Sequence, residues 1–332
     1  MDALWRAAGA TPFQHPGWWM PWLDAFGVEH PLVAVVWRGE RATAALPLYR
    51  VSEPDGPVVR VIGCGNTDYL DALVADAADL VSLECLASWI DELKARVDVL
   101  DVPPGAAIES VLARCRRAVD WAPCARCPVA ELPPDVGAWR AGLPHGLARN
   151  LRRYARQLNL AGSTSIERVE GSAVEDGVDA FFMLHAARWE RRGEGGVLSE
   201  PAVAAFHRAS IPWLVDASVG RLFVMRHAGA PIGAQYVLIA GRRAFSYLSG
   251  FDPAFARFSP GALLMAHAIE DAIAAGCRTF DLLRGEEPYK ASWAGRVVET
   301  RQAMLPPRGR PADASEQEAG ASRGIASDAG RA

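Results

Sequence analysis

A mixed α+β chain in two halves is predicted by three observations. Short β-branched and aromatic runs alternate with stretches whose apolar residues recur at helical spacing. Several strand runs follow one another across tight connectors, which reads as antiparallel pairing. The order helix, hairpin, strand, helix, strand occurs once before residue 135 and again after it, without sequence identity between the halves. The 332 residues also exceed what one hydrophobic core usually serves. The expected division is 1–135, 136–305, and a disordered tail 306–332 of Pro, Gly, Ala, Ser, Asp and Arg.

In the first half, Thr11 to Phe26 is dense in tryptophan and predicts a helix from Pro16 or Gly17, with His15 as a turn or cap residue. Trp18, Trp22 and Phe26 recur at core spacing. Leu32 to Trp37 and Arg41 to Leu48 flank Arg38-Gly-Glu40 and predict a hairpin, with Pro47 ending its second strand or holding it at an edge. Val58 to Ile62 is a further strand, broken by the glycine-rich Gly63 to Leu70 turn; Asp68 and Tyr69 there are candidates for lining a cleft. Asp79 to Arg96 predicts a helix, Val97 to Val102 a strand, Ala106 to Ala118 a helix, and an extended stretch runs to Pro134.

The second half opens on a basic helix, Leu147 to Leu158. Leu147, Leu151, Tyr154 and Leu158 share one face, and Arg149, Arg152, Arg153 and Arg156 share another. That arginine face can meet phosphates or stand as an ordinary solvated surface. Phe181 to Arg191 is the next helix, with His185 read as a packed histidine. Ser199 is expected to cap a following helix that Pro212 kinks or ends. Leu222 to Arg226, Ile232 to Ala240 and Ala244 to Ser249 predict a meander.

Arg243 to Trp293 carries the candidate site. After the Ala244 to Ser249 strand, Ser259 is placed as an N-cap, Pro260 as the first helical residue and Gly276 as the residue that stops the helix. Thr279 to Leu283 is a strand, and the polar Arg284 to Lys290 segment leaves its end. A helix N-terminus between two strands offers free N–H groups and a positive dipole end to an anion.

Composition narrows the function classes. A net charge of −4 argues against a dedicated nucleic-acid binder. No apolar run approaches the roughly 18–20 residues of a membrane span, and the first residues lack a basic segment followed by an apolar one, so a cytoplasmic protein without a signal peptide is expected. Cys124 and Cys127 form a lone C-x-x-C with no second pair and no histidine at finger spacing; an extended segment is expected there, and no metal.

Arg149-Asn-Leu-Arg-Arg153, Leu184-His-Ala-Ala-Arg-Trp189, Ser249-Gly-Phe-Asp-Pro-Ala254, Ser259-Pro-Gly261 and Phe280 to Lys290, in that order, resemble the GNAT acyltransferase superfamily. The nearest resemblance is to its CelD/BcsL-like, or BioF2-like, branch, which is similar to the FemAB aminoacyl transferases. His15-Pro16, Ala45-Leu-Pro-Leu48 and Asp68-Tyr-Leu-Asp71 extend the resemblance into the first half. It implies two tandem GNAT-like folds, each with a mixed, mainly antiparallel sheet flanked by helices, of which the second is the acetyltransferase domain.

The resemblance further implies acyl transfer from acetyl-CoA or another acyl-CoA to an amine or hydroxyl, with a small-molecule, polysaccharide or cell-envelope precursor as acceptor. The family's phosphate loop, Q/R-x-x-G-x-G/A, falls on Arg257 to Ala262. Pro260 stands where glycine is expected, and it has no N–H to give. Cofactor contacts are thereby expected from Arg257, Phe258, Ser259, Gly261, Ala262 and Arg284. A base is expected among Asp281, Glu286, Glu287 and Asp68. By the FemAB likeness, Lys290 neutralises phosphate or an oxyanion and Tyr289 protonates a leaving group. Two alternatives stay open: a FemAB-like transferase using aminoacyl-tRNA, and a non-catalytic double domain that binds polysaccharide or a precursor.

Overall fold

In chain order the elements are α1 (Asp2–Ala8), α2 (Pro16–Ala25), β1 (Leu32–Arg38), β2 (Arg41–Glu53), β3 (Gly56–Val61), β4 (Leu73–Val74), α3 (Leu80–Glu92), β5 (Arg96–Val102) and α4 (Ala107–Leu112). There follow β6 (Asp120–Glu131), α5 (Val136–Gly142), α6 (His145–Ala161), β7 (Thr164–Val169), α7 (Val174–Glu190), α8 (Pro201–Asp216), β8 (Gly220–His227), β9 (Ala230–Ala240) and β10 (Arg243–Phe251). Last come α9 (Pro260–Ala274), β11 (Thr279–Asp281) and β12 (Arg296–Leu305). The structure is a computed structural model and describes residues 1–191, 193 and 195–308. Residues 309–332 of the expected tail lie outside the described residues.

The chain divides into two compact units. The first holds Met1–Gln14, Val28–Cys124 and the described residues from Thr300 onward. Its strands run β1-β2-β3-β5-β12, with β4 also on β2; β3 and β5 pair in parallel and every other pair is antiparallel. The second holds His15–Gly27 and Ala125–Glu299, ordered β6-β11-β10-β9-β8-β7, with β10 and β11 as its one parallel pair. Each unit is thus a meander, one parallel joint and one closing antiparallel strand. The fold class is the mixed, mainly antiparallel α+β expected, in tandem.

Local chemistry sets most helix ends. His15 caps α2, its Nδ1 accepting from the Gly17 N–H at 3.0 Å, with Pro16 in the first position. Asp79 caps α3, accepting from the Ser82 N–H at 3.2 Å and the Ser82 hydroxyl at 2.6 Å. The helix expected over Ala106 to Ala118 stops at Leu112. The Asp91 carboxylate takes the Arg116 N–H (2.8 Å) and the Arg117 N–H (3.3 Å), and the Arg117 guanidinium donates to the carbonyls of Ile90, Leu93 and Ala95. Four other expectations also change. The α3 helix ends at Glu92, and Arg96 already starts β5. Ser199 closes a 3-10 turn and bonds Gly196, while Glu200 stands at the N-cap of α8. Of the two outcomes expected at Pro212, only the helix end is excluded, since the residue lies inside α8, which runs on to Asp216. Pro47 sits within β2, where its carbonyl accepts from the Ile62 N–H at 3.0 Å, so the sheet uses it as an acceptor only.

Each unit holds an apolar core. In the first unit Leu46, Leu48 and Val59 of the strands meet Leu83, Leu86 and Ile90 of α3. In the second, Leu264, Ile269 and Ile273 of α9 pack with Phe223, Val237 and Phe280. The opposite face of that second sheet takes the tryptophan-rich α2: Trp18 meets Phe206 of α8 at 4.9 Å and Tyr247 of β10 at 5.0 Å, both edge to face.

One glycine sets how closely a helix lies on the second sheet. A Cβ on Gly250 of β10 would stand 2.6 Å from His185 Cα and 2.5 Å from the Leu184 carbonyl carbon, so the backbone of α7 rests directly on that strand. Gly250→Ala is expected to cost about 1–3 kcal/mol through overpacking against backbone that cannot rotate away. Urea unfolding measures it, and an unchanged midpoint would mean that α7 yields freely.

Candidate active site

The parallel ladder between β10 and β11 is short. It runs from Arg243↔Thr279 to Phe245↔Asp281 and stops, while β10 continues to Phe251. A register shift between Ser246 and Leu248 bends β10 just beyond the last pair. Past that point the two strands serve different partners, and a cleft opens between β10, the start of α9 and the chain leaving β11.

A cavity of about 270 Å³ lies in this cleft. Ser259, Pro260, Gly261 and Ala262 of the α9 start form one wall, and Ser249 and Phe251 of β10 another. Gln235, Met265, Tyr289, Trp293 and Arg188 complete the lining with Ala256. Gln235 is buried and donates from Nε2 to Ser246 Oγ at 2.8 Å. Arg188 donates from Nη1 to Ser249 Oγ at 2.9 Å and lies over the Phe251 ring at 5.5 Å.

The α9 start differs from a simple side-chain cap. Ser259 occupies the N-cap position in the left-handed region (φ 47°), and its side chain makes no cap hydrogen bond. A hydrogen bond from the Ser259 hydroxyl, with Arg153 beside it, holds the Tyr154 phenol of α6 below its usual range. In the first turn Pro260 has no N–H, and the Ala262 and Leu263 N–H groups both bond the Ser259 carbonyl, at 3.0 and 3.2 Å. Among the described residues, Gly261 keeps the first-turn N–H without an intrahelical acceptor.

The remaining candidates separate by environment. Phe258 is a core residue, and Arg257 is exposed with its guanidinium over the Phe258 ring at 4.7 Å. Neither lines the cavity. Asp281 is buried and holds the turn after β11, accepting from the Leu283 N–H at 2.8 Å while Leu283 takes a positive φ. Glu286 is exposed and pairs with Arg126. Glu287 pairs at 2.8 Å with Lys290, which is buried and also donates to the Arg284 carbonyl at 2.7 Å. Arg284 is half-buried. Asp68 is fully buried in the first unit. Of the proposed acid–base groups, Tyr289 lines the cavity; the four carboxylates and Lys290 do not.

Two residues escaped the sequence reading of the site. Gln235 was legible as the one polar side chain inside the apolar Ile232–Ala240 run, where burial demands a hydrogen bond. Arg188 was not. It rides on α7, on the Gly250 side of β10, yet it bonds Ser249, whose side chain strand alternation directs to the opposite face. Its place depends on the open edge of β10, which no local pattern encodes. Among the described residues no group of three His, Cys, Asp or Glu is arranged to hold a metal, and no helix is long and apolar enough to cross a membrane.

The second unit, a mixed and mainly antiparallel sheet flanked by helices in which β10 parts from β11 beside the start of α9, has a GNAT-like fold. Residues 146–291 match the family described as acetyltransferase (GNAT) domain, and this segment belongs to the GNAT superfamily. Over nearly the whole chain the fold is similar to FemX, with a TM-score of 0.68 at 12% identity, covering 91% of this chain and 95% of that one. It is also similar to L-PGS from Bacillus licheniformis, with a TM-score of 0.60 at 8% identity, covering 94% and 92%. At these identities the likeness is one of fold. No curated protein matches the sequence.

The burial of Lys290 carries a stability consequence. Lys290→Met leaves the mostly buried Glu287 without its cation and is expected to cost about 3 kcal/mol, the lower end for a buried pair. Adding Glu287→Gln should restore part of that loss. Chemical unfolding of both variants measures it, and a single-variant loss near zero would show that the pair does not hold this turn.

Proposed function

We propose that the second unit transfers an activated acyl group directly to an amine or hydroxyl at the cleft between β10, β11 and the α9 start. The observation that supports this most is the divergence of β10 from β11 beside a helix N-terminus, inside the segment matched as an acetyltransferase domain. The acceptor's lone pair attacks the acyl carbonyl carbon, and the strand edge beyond Phe245 supplies backbone N–H groups to the oxygen that gains charge. The bond to the leaving thiol or alcohol then breaks. Tyr289, the one phenol in the cavity lining, donates a proton to that leaving group and recovers one from solvent. The acceptor gives up its own proton to water.

Acyl-CoA is the first donor to consider. Its phosphates would meet the Gly261 N–H and the positive end of α9, with Arg257 outside the cavity as a further cation. That is a single backbone donor. The same turn favours a second reading, an aminoacyl ester of tRNA, because Pro260 and the two N–H groups bound to Ser259 leave no multi-donor cradle for a pyrophosphate. Such a donor has no pyrophosphate: its phosphates are single phosphodiesters along the strand, which side chains can meet without a backbone cradle. A non-catalytic double domain would bind neither donor.

Titration calorimetry with acetyl-CoA, and transfer from charged tRNA, separate these readings. Under either donor, Tyr289→Phe is expected to lower kcat by roughly 100-fold or more with KM within about twofold. No acetyl-CoA binding at millimolar ligand removes the first donor. Absence of transfer from both donors sinks the acyl-transfer reading.

A further inference from the structure

Helix α6 is built with one sign of charge. Its 17 residues hold four arginines and no acid, in a chain whose net charge is −4. At about 100° per residue, Arg149, Arg152, Arg153 and Arg156 fall within an arc of about 100°, opposite Leu147, Leu151, Tyr154 and Leu158. All four arginines are exposed, while Leu158 is buried in the core with α9. Arg149, Arg153 and Arg156 stand on successive turns about 5 Å apart along the axis, the scale of neighbouring phosphates on a strand.

That charge is left uncompensated. Among the described residues no carboxylate pairs with any of the four. The Arg153 guanidinium lies over the Tyr154 ring at 4.8 Å, a contact that leaves its charge in place. α6 packs against α9 and the 3-10 turn Pro253–Phe258, and the acids there are engaged elsewhere. Glu270 is held by Arg140, Asp271 by Arg221 and Arg168, and Asp252 accepts from the Ala254 N–H at 2.8 Å. Other surface arginines, such as Arg38, Arg208 and Arg226, do have carboxylate partners. Like charges on one helix face repel, so this face is destabilising until an anion neutralises it.

The face also lies beside the cleft. The 3-10 turn against α6 presents Ala256 and, at its end, Ser259 to the cavity, and Arg257 on the same turn is exposed. Every one of these cations is arginine, whose planar fork grips a phosphodiester through two N–H groups where lysine meets it as a point charge. A bilayer surface would favour apolar residues among the cations, and Leu160 is the one large apolar residue exposed on α6.

We propose that the arginine face of α6 binds the phosphodiester backbone of an RNA strand whose 3′ end enters the cavity past Arg257. This rests on the aminoacyl-tRNA reading of the donor: the cleft holds the acyl end and α6 the phosphates.

Fluorescence anisotropy of the full chain with a labelled RNA hairpin ending in a single-stranded 3′ tail tests this, beside vesicles of phosphatidylglycerol and phosphatidylcholine. The logarithm of the binding constant is expected to fall against log salt with a slope of roughly −3, the value for about four phosphates. Arg149→Gln, Arg152→Gln and Arg156→Gln combined, at exposed positions where glutamine suits a helix, should flatten the slope to about −1 and weaken binding at least about tenfold at low salt. Arg41→Gln, at an exposed arginine of the first unit, should change neither. No hairpin binding at micromolar protein, a slope near zero, a folded triple variant that binds as the wild type does, or an equal loss in Arg41→Gln overturns the proposal. Vesicles that outcompete the hairpin overturn it in favour of a membrane surface. Should the triple variant fail to fold, Arg152→Gln alone decides, with an expected slope change of about 0.7–0.9. Binding that depends on these arginines without transfer from charged tRNA removes the donor reading and leaves the α6 surface standing. Transfer from charged tRNA that the triple variant leaves intact does the reverse.

Discussion

The second unit depends on a mismatch of strand lengths. β10 has nine residues and β11 three, so their parallel ladder ends at Phe245↔Asp281 with six residues of β10 still to run. Those six residues keep their antiparallel partner, β9, and lose the other. An edge opened this way inside a sheet is a liability unless something occupies it. Here the start of α9 and the segment after β11 stand across the opening and leave a cavity between them. Nearly every polar group of the site owes its position to that gap, including an arginine that reaches Ser249 from a helix on the other face.

The gap also explains how the charged residues after β11 divide their labour. A chain leaving a strand that stops early must turn at once, and the turn passes through buried ground. Leu283 adopts a positive φ held by Asp281, and Lys290 sits beneath, tied to Glu287 and to two carbonyls. A Cβ on Gly285 would stand 3.0 Å from Lys290 Nζ, which shows how tightly the segment closes on its cation. Buried charges of this kind are best satisfied by one another and by backbone. They fix where Tyr289 emerges, half-exposed at the cavity rim, between residues that the segment keeps for itself.

Much of this fold was legible because its determinants are local. Pro260 at the first position of α9 and Gly276 after its end (φ 85°) act through backbone geometry that a few residues decide. The β8–β10 meander announced itself in apolar runs and tight connectors. What stayed hidden was decided at long range. β7 and β12 mix charged, polar and apolar residues without strict alternation, and they become strands by pairing with β8 and β5. The helix after Ala106 looked longer than α4 because the carboxylate that ends it, Asp91, is 25 residues away. Arg188 belongs to the same class: its helix was clear, and its target existed only once two strands had parted.

The start of α9 joins these strands of the argument. A helix beginning with Ser in the left-handed region followed by Pro has two consequences at once. The left-handed turn lets the Ser259 carbonyl accept from two residues of the first turn, and proline removes one donor, so the dipole end keeps its field but few of its N–H groups. Field without donors attracts negative charge but does not grip it by backbone hydrogen bonds. Among the residues that line the cavity, Arg188 alone carries a formal charge.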